Sequence, residues 1–219
     1  NTLHVHKATA GSVTGYVGAP LVVENDDHCY IQLLSPNGVE SGLYMGDPQD
    51  VDVGTIGYAH SSDAMFFKTA DAERMRIDSS GRITSTQPRF SAYSGSSGLT
   101  LSSPNTFSFN NTMMNVGNNF NTTTHKFTAP ITGDYYFGFH SIFQGTTVNG
   151  YIAFYFSSGT HYGNSTHFNE EFSNSSAWKQ VLLNGVYHLT SGTTVHVGTS
   201  GITAFHGVNY SNFHGWLIG

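Results

Sequence analysis

The sequence predicts an all-β protein, and three observations support this prediction. No segment carries apolar residues at the sustained i, i+3, i+4, i+7 spacing of an amphipathic helix. Apolar and polar residues instead alternate with a period of two over many short segments, as they do in strands with one buried face. Turn-forming Gly, Ser and Asn residues separate these segments, and glycine alone contributes 25 of the 219 residues.

Composition and charge exclude several classes of protein. Only 10% of the residues are charged and the formal net charge is -6, so we expect no nucleic-acid partner. No run of about 18 apolar residues occurs, so we expect no membrane insertion. The single cysteine, Cys29, excludes an internal disulfide, and its apolar surroundings predict an inert core residue. The chain begins at Asn1 rather than Met, so we expect a trimmed piece of a longer protein.

The charged residues are unevenly distributed, and this predicts two domains. Residues 1–87 carry sixteen of the charged side chains, whereas residues 88–219 carry six. The composition changes near Thr86, and Pro88 disfavours any helix that would cross this point. We therefore predict a small β-rich module at 1–87 and a larger β domain at 88–219.

The strands of the first module are short. They are predicted near residues 2–6, 20–24, 30–34, 42–45, 55–58, 64–68 and 73–77. The segment 71–77 is the nearest helical candidate, but Met75 and Ile77 alternate with Arg74 and Arg76, which indicates a strand. The combined apolar content is too small for an independent core, so we expect the module to depend on oligomerisation.

The second domain is long enough for one sandwich of eight to ten strands. They are predicted near residues 89–94, 97–101, 105–116, 124–129, 134–144, 149–156, 162–172, 178–189, 193–199 and 213–218. Its inward-facing aromatic residues exceed what one small sandwich needs on a single inner face. They either form the core of one chain or line the axis of a trimer. These residues are Tyr135, Phe137, Phe139, Tyr151, Phe154 and Phe156.

Four segments of the second domain resemble the C1q domain in order along the chain. The most specific is FTAPITGDYYFGF at 127–139, which follows an Asn-rich turn at 118–121. RFSA at 89–92 and FHGWLI at 213–218 resemble the first and last strands of the family. LTSGTTV at 189–195 resembles a third motif, although Thr193 replaces its usual Asp. The resemblance implies a ten-strand jelly-roll sandwich of the C1q/tumour-necrosis-factor type, assembled as a homotrimer.

The first module resembles a different family, a module of phage and prophage tail-fibre proteins. The resemblance rests on LHV at 3–5, GYAHSSDAMFF at 57–67 and ERMRIDSSGR at 73–82. It implies a shaft or collar module placed before a terminal head. It also implies a virion protein at the tip of a tail fibre, assembled in the bacterial host cytoplasm together with the remaining virion fibre and tail proteins.

We interpret the chain as a tail-fibre receptor-binding protein whose trimeric head attaches to a bacterial surface receptor, a glycan in preference to a protein. A purely structural component that holds the trimer in register and caps it is the alternative. A polysaccharide depolymerase is the third reading, but glycoside hydrolysis needs two carboxyl groups about 5–10 Å apart. The head offers only Asp134, Glu170 and Glu171, and adjacent strand residues point to opposite faces. We therefore expect no enzymatic activity from the carboxylates of one chain, and no cofactor. An active site made of carboxylates that meet across a subunit interface is the alternative left open.

Candidate receptor-binding residues lie in three predicted loops, near 144–149, 171–177 and 200–212. The strand order of a jelly roll places these loops at the end of the head remote from the point where the chain enters. Amides that bond hydroxyl groups and aromatic faces that cover sugar rings suit a polar glycan. The candidates are Asn174, Trp178, His206, Asn209, Tyr210 and Asn212.

One pair of histidines is a candidate metal ligand set. His4 and His6 lie on the same side of the first predicted strand. Three copies about a threefold axis would bring six imidazoles together. The same stretch also matches the ordinary opening of the fibre module, so we predict no metal site, with His4 and His6 as the candidate ligands if one exists.

Overall fold

Strands and turns make up the secondary structure of the described part of the chain. A computed structural model describes residues 2–95, 98–99, 101–102, 106–143, 148–157, 166–170, 179–200, 205–206 and 210–219. These residues contain strands and no helix, which confirms the all-β prediction. In this part of the chain, nothing helical is long and apolar enough to cross a membrane. The chain divides into two compact units, Asn1–Thr84 and Ser85–Gly219.

The first unit contains a parallel strand pair and an antiparallel meander. The parallel pair is β1 (Leu3–His6) with β2 (Leu21–Glu24). The meander runs in chain order through β3 (Glu40–Met45), β4 (Gly54–Ala59), β5 (Ala64–Thr69), β6 (Ala72–Ile77) and β7 (Ile83–Ser85).

Two expectations for this unit are wrong. The strand predicted at 30–34 does not form, and Tyr30 and Ile31 in this segment are exposed. Cys29 is exposed rather than part of a core. Apolar residues at alternate positions form a strand only where a partner strand accepts their backbone hydrogen bonds, and no partner among the described residues pairs with this segment.

A single large side chain, Phe66, forms the centre of the first unit. Among its described residues the buried apolar side chains are Phe66, Ala59 and Ala64. The Phe66 ring lies over Gly57 of β4, where a Cβ atom would come within 2.2 Å of the ring. Many large apolar side chains of the unit are exposed, including Leu43 and Tyr44 of β3. This thin core agrees with the low apolar content of the sequence.

A bulge in β6 explains a close ion pair beside Phe66. Arg74 is the extra residue, because Phe67 pairs with Met75 whereas Lys68 pairs with Glu73. The bulge brings Glu73 and Arg76 to the same face, although an odd spacing in a regular strand would separate them. Their carboxylate and guanidinium groups form two hydrogen bonds of 2.7 and 2.6 Å.

The second unit is a sandwich of two seven-stranded sheets. The first sheet contains β8 (Arg89–Tyr93), β9 (Gly98–Leu99), β12 (Asn111–Val116), β15 (Gly133–Phe143), β18 (Lys179–Leu189), β20 (Phe205–His206) and β21 (Asn212–Leu217). The second contains β10 (Leu101–Ser102), β11 (Thr106–Phe107), β13 (Phe120–Asn121), β14 (Lys126–Thr128), β16 (Val148–Phe156), β17 (Thr166–Glu170) and β19 (Thr194–Ser200). Two predicted strands, 97–101 and 105–116, are each divided in two, and β13 and β20 were not predicted.

Strand order places the long β15 near the middle of the first sheet. The sheet contains four consecutive neighbours in the order β12, β8, β21 and β15, and β18 lies on the other side of β15. Beside the end of β15, the sheet is extended by β20 and β9. In the second sheet β19 pairs with β11 and β14 on one side and with β16 on the other, and β16 carries β17. This is the predicted jelly-roll class of sandwich.

The core of the sandwich is aromatic and belongs to one chain. Every second residue of β15 is buried, as expected for a strand with a side-chain period of two. These residues pack in one cluster with aromatic residues of β8, β16 and β21. Of the two alternatives for the inward aromatic residues, the core of one chain is therefore confirmed for those whose side chains the structure describes. These residues are Tyr135, Phe137, Phe139, Phe154 and Phe156, all buried within the chain. The side chain of Tyr151 lies outside the described part.

Strand register defines two ends of the sandwich. At the first end, called the base, Trp216 pairs with Arg89 and Gly133 pairs with Leu189. At the opposite end, called the distal end, β15 and β18 finish with the pair Phe143 and Lys179. β16 and β17 are joined there by the pair Val148 and Glu170, and β19 also ends there at Ser200. The chain enters the sandwich at the base.

Candidate functional site

The distal end carries an aromatic pair that is held to the sandwich by serine hydroxyls. The rings of His206 and Tyr210 meet edge to face, with centroids 4.5 Å apart. Ser211 follows directly and is buried; its hydroxyl donates to the His206 carbonyl and lies 2.7 Å from the Ser141 hydroxyl of β15. Tyr210 remains 49% exposed. His206 and Ser211 are therefore anchored to β15 while the Tyr210 side chain remains accessible to solvent.

The six predicted receptor-binding residues fall into three groups. His206 and Tyr210 come together at the distal end. Asn174, Trp178 and Asn209 lie outside the described residues, as do most of the loops predicted near 144–149, 171–177 and 200–212. The strands that these loops connect do end at the distal end, as the register of β15, β16, β18 and β19 shows.

Asn212 differs from its prediction, because it is the first residue of β21 rather than part of a loop. Its amide nitrogen donates to the Ser91 hydroxyl at 2.9 Å and to the Ala92 carbonyl at 3.1 Å. Its amide oxygen lies 2.7 Å from Nδ1 of His214. The side chain therefore joins neighbouring strands of the first sheet.

A second surface, the outer face of the first sheet, was missed as a candidate site. We define it by three cross-strand rows: Arg89–Trp216–Tyr136–Val186, Ser91–His214–Gly138–Asn184 and Tyr93–Asn212–His140–Leu182. The face is mostly aromatic and aliphatic, and Arg89 is the one Lys or Arg in these rows. The sequence did contain a signal for it, because Tyr136 and His140 alternate with the core residues of β15.

The centre of the outer face is a stack of aromatic rings. Tyr136 and Trp216 stack with centroids 4.4 Å apart, and the His214 ring lies parallel to Trp216 at 6.1 Å. Gly138 makes room for His214, since a Cβ atom at that position would come within 2.4 Å of the imidazole Nε2. Trp216 remains 42% exposed, and Leu182 and Val186 each remain 59% exposed.

The histidines of the outer face favour the neutral form. Burial lowers the pKa of His140. Burial also lowers the pKa of His214, and the neighbouring His140 lowers it further. Burial thus disfavours imidazolium charge on this face. A low charge and exposed rings are the properties of a surface that gains free energy when it is covered.

Two cavities border the outer face. One of about 430 Å³ lies at the base, and it is lined by Phe156, Val186, Tyr187, His188, Leu189, Thr190 and Thr193. The other, of about 250 Å³, is lined by Tyr93, Met113, His140, Ser211 and Asn212. The described residues that line the two cavities include no carboxylate.

The strands place Asp134 and Glu170 of the head at opposite ends of the sandwich, so these two residues are not arranged as a hydrolase pair within the chain. Asp134 lies at the base, where its Oδ1 is 2.7 Å from Nδ1 of His188. Glu170 lies in β17 at the distal end, opposite Val148. Glu171 lies outside the described residues. The length of β15 thus separates Asp134 from Glu170, far beyond the spacing that glycoside hydrolysis requires.

Two clusters in the first unit contain metal-ligating side chains. Three carboxylate oxygens lie within 4.8 Å of one another, one each from Asp50, Asp52 and Asp71. In the described part of the chain, no other three metal-ligating side chains bring their donor atoms this close together. Because the two carboxyl groups lie close together, a hydrogen bond to Asp50 raises the pKa of Asp71. The second cluster contains the predicted pair His4 and His6, whose rings lie 5.4 Å apart beside Glu24.

The fold and surfaces define a jelly-roll head of the C1q class. The family model of the C1q domain matches residues 89–218, and the chain belongs to this family. The globular domain of the zebrafish complement 1qA protein is similar in structure, with 19% sequence identity and a TM-score of 0.45. The similarity covers 61% of this chain and 98% of that chain. A comparison with curated proteins found no match.

Proposed function

We propose that this protein is a trimeric attachment protein, the end of a phage-type tail fibre, whose C1q-like head binds a bacterial surface glycan. The main observation behind the proposal is that two surfaces of the head have different properties. The outer face of the first sheet suits self-association, and the distal end presents polar and aromatic groups away from the base. The run ERMRIDSSGR at 73–82 supports the assignment of the first unit to a fibre.

Self-association is supported by the exposed apolar residues of the outer face. Trp216 of β21 and Leu182 and Val186 of β18 lie on the two strands that flank β15, with few charges between them. An apolar patch of this kind on a soluble protein marks an interaction surface. Three copies related by a threefold axis bury the same patch on every chain, which is how closed homo-oligomers form.

Glycan binding is supported by the chemistry of the distal end. Tyr210 offers an exposed aromatic ring, and His206 lies against it. Aromatic faces cover the apolar side of a sugar ring while polar groups bond its hydroxyls. The head carries few charges, so a neutral polar ligand suits it better than a charged one. A single site of this size binds weakly, and three copies in one trimer raise the avidity by about 10²–10⁴.

The experiment is a glycan array and a cell-binding assay over a panel of bacterial strains, with the purified full chain. Tyr210→Ala and His206→Ala should each reduce binding, because each removes one ring of the distal pair. Tyr155→Ala is the matched control: it removes a ring from the other sheet, where Tyr155 stacks on His196. The trimer and its melting temperature should remain unchanged in the two distal variants.

The alternatives give different results in the same experiment. A head that only holds the three chains in register and caps the trimer would remain trimeric but bind neither glycan nor cells. This result would refute the attachment function. Release of reducing sugar from a bacterial polysaccharide would indicate a depolymerase with carboxylates contributed by more than one chain. Binding that survives both distal variants but is lost when the flank of the head is changed would refute the distal assignment.

A further inference from the structure

The parallel strand pair of the first unit brings two imidazoles and one carboxylate together. His4 and His6 are two residues apart on β1, so they lie on the same face of the strand. Glu24 is the last residue of β2 and is the register partner of His6. Its Oε2 atom lies 2.9 Å from Nε2 of His4 and 3.9 Å from Nε2 of His6.

These distances resemble those between ligands of one metal ion. A zinc ion binds imidazole nitrogen at about 2.0–2.1 Å and carboxylate oxygen at about 2.0–2.2 Å, so tetrahedral ligands lie roughly 3.3 Å apart. The two distances from Glu24 lie on either side of this value. The two imidazole nitrogens are farther from each other, since the three donor atoms do not all lie within 4.8 Å of one another. Both rings are nearly half exposed, at 45% and 47%, so they are free to turn toward a shared ion.

The carboxylate of Glu24 is held in place from behind. Its Oε1 atom accepts a hydrogen bond of 2.8 Å from the backbone N–H of Ala10. This bond is the main reason that the pKa of Glu24 lies below its usual range, and Thr9 contributes a further hydrogen bond. Oε2, the other oxygen, remains directed at the two imidazoles. Partners that orient a ligand in this way are typical of metal sites.

We propose that Nε2 of His4, Nε2 of His6 and Oε2 of Glu24 bind one divalent transition-metal ion of the zinc class per chain. Three protein ligands leave the remaining coordination positions to water. Imidazole ligands favour zinc, copper, nickel and cobalt over calcium and magnesium, which prefer oxygen ligands throughout. All three ligands belong to one chain, and the site does not depend on the attachment function.

The contrast with other histidines of the first unit supports this choice. His28 lies 2.8 Å from Asp27 but stacks on Tyr30 rather than on a second imidazole. His60 contacts the Ser41 hydroxyl and the Tyr58 ring. Each of these two has at most one further metal-ligating group beside it, so His28 provides a matched control for a histidine–carboxylate pair.

The test is calorimetric titration of the metal-free full chain with zinc chloride at neutral pH. We expect one zinc ion per chain. His4→Ala and His6→Ala should each weaken binding by at least tenfold, since even the loss of a residue that orients a ligand costs about 10–100-fold. Glu24→Gln keeps the size of the side chain and the acceptor for Ala10, and it should weaken binding comparably. His28→Ala should bind zinc as the unaltered chain does, and calcium and magnesium should give no heat at this site.

Three results would overturn the proposal. The first is the absence of stoichiometric zinc binding. The second is equal loss of zinc in His28→Ala, which would indicate unspecific binding by surface histidines. The third is one zinc ion per three chains with unaltered affinity in Glu24→Gln, because this would indicate a site made of imidazoles from three copies without the carboxylate.

Discussion

Replacement of Trp216 by alanine tests the proposed trimer surface quantitatively. The ring is 42% exposed in the single chain, which for a side chain of roughly 250 Å² leaves about 100 Å² to be covered by a neighbour. At about 25 cal/mol per Å² this area contributes roughly 2.5 kcal/mol per chain, or about 7 kcal/mol for the three copies. Since about 1.4 kcal/mol is a factor of ten, the trimer association constant should fall by roughly 10⁵.

Sedimentation equilibrium over a dilution series measures this change directly. Trp216→Ala should shift the assembly toward a monomer at concentrations where the unaltered chain remains trimeric. The monomeric head should stay folded, because its aromatic core belongs to one chain. Tyr155→Ala, on the other sheet, should leave the trimer intact. A trimer that tolerates Trp216→Ala but dissociates in Tyr155→Ala would show that the opposite sheet forms the interface.

Three further predictions concern stability. Gly57→Ala places a Cβ atom against the Phe66 ring and should destabilise the first unit by about 1–3 kcal/mol, seen as a lower first transition in calorimetry; an unchanged transition contradicts it. Burial lowers the pKa of His196 to about 4 in the folded chain. As the pH drops from 6.5 toward 4, the unfolded chain therefore binds a proton at His196 that the folded chain does not bind, and the stability of the fold decreases. His196→Phe should therefore lose less stability on acidification: at pH 5 its free energy of unfolding in urea should have fallen by about 1–2 kcal/mol less than that of the unaltered chain, after allowance for the partial exposure of His196. The pKa of Asp71 is raised by Asp50, because ionisation of Asp71 beside Asp50 is unfavourable. Asp71→Asn should therefore raise the melting temperature at pH 7, and this gain should vanish at low pH, where Asp71 is protonated. An equal gain at both pH values would show that the charge of Asp71 is not its cause.

The sandwich was predictable because its strands are long and alternate regularly. In β15 every second residue from Tyr135 to Ser141 is buried, and a period of two records this directly in the sequence. The segment 30–34 shows the limit of the same argument. Tyr30 and Ile31 are as apolar as strand residues, yet a strand also needs a partner, and sequence alternation contains no information about pairing.

The candidate sites were predictable only in part, because they depend on contacts between distant segments. His4 and His6 could be paired from their spacing, but Glu24 enters through the parallel pairing of β1 with β2. The approach of Asp71 to Asp50 likewise depends on the return of the meander. Asn212 was placed in a loop because polar residues precede it, whereas its bonds to Ser91 and Ala92 make it the start of β21.

The most direct test of the attachment proposal compares the retention of trimer and monomer on bacterial cells. Trp216→Ala leaves the distal residues His206 and Tyr210 unchanged and alters the number of distal sites held together. We predict that the unaltered trimer is retained by at least one strain of the panel. The monomeric variant should be retained about 10²–10⁴-fold less well. Equal retention of monomer and trimer, or no retention of the trimer by any strain, would contradict the account.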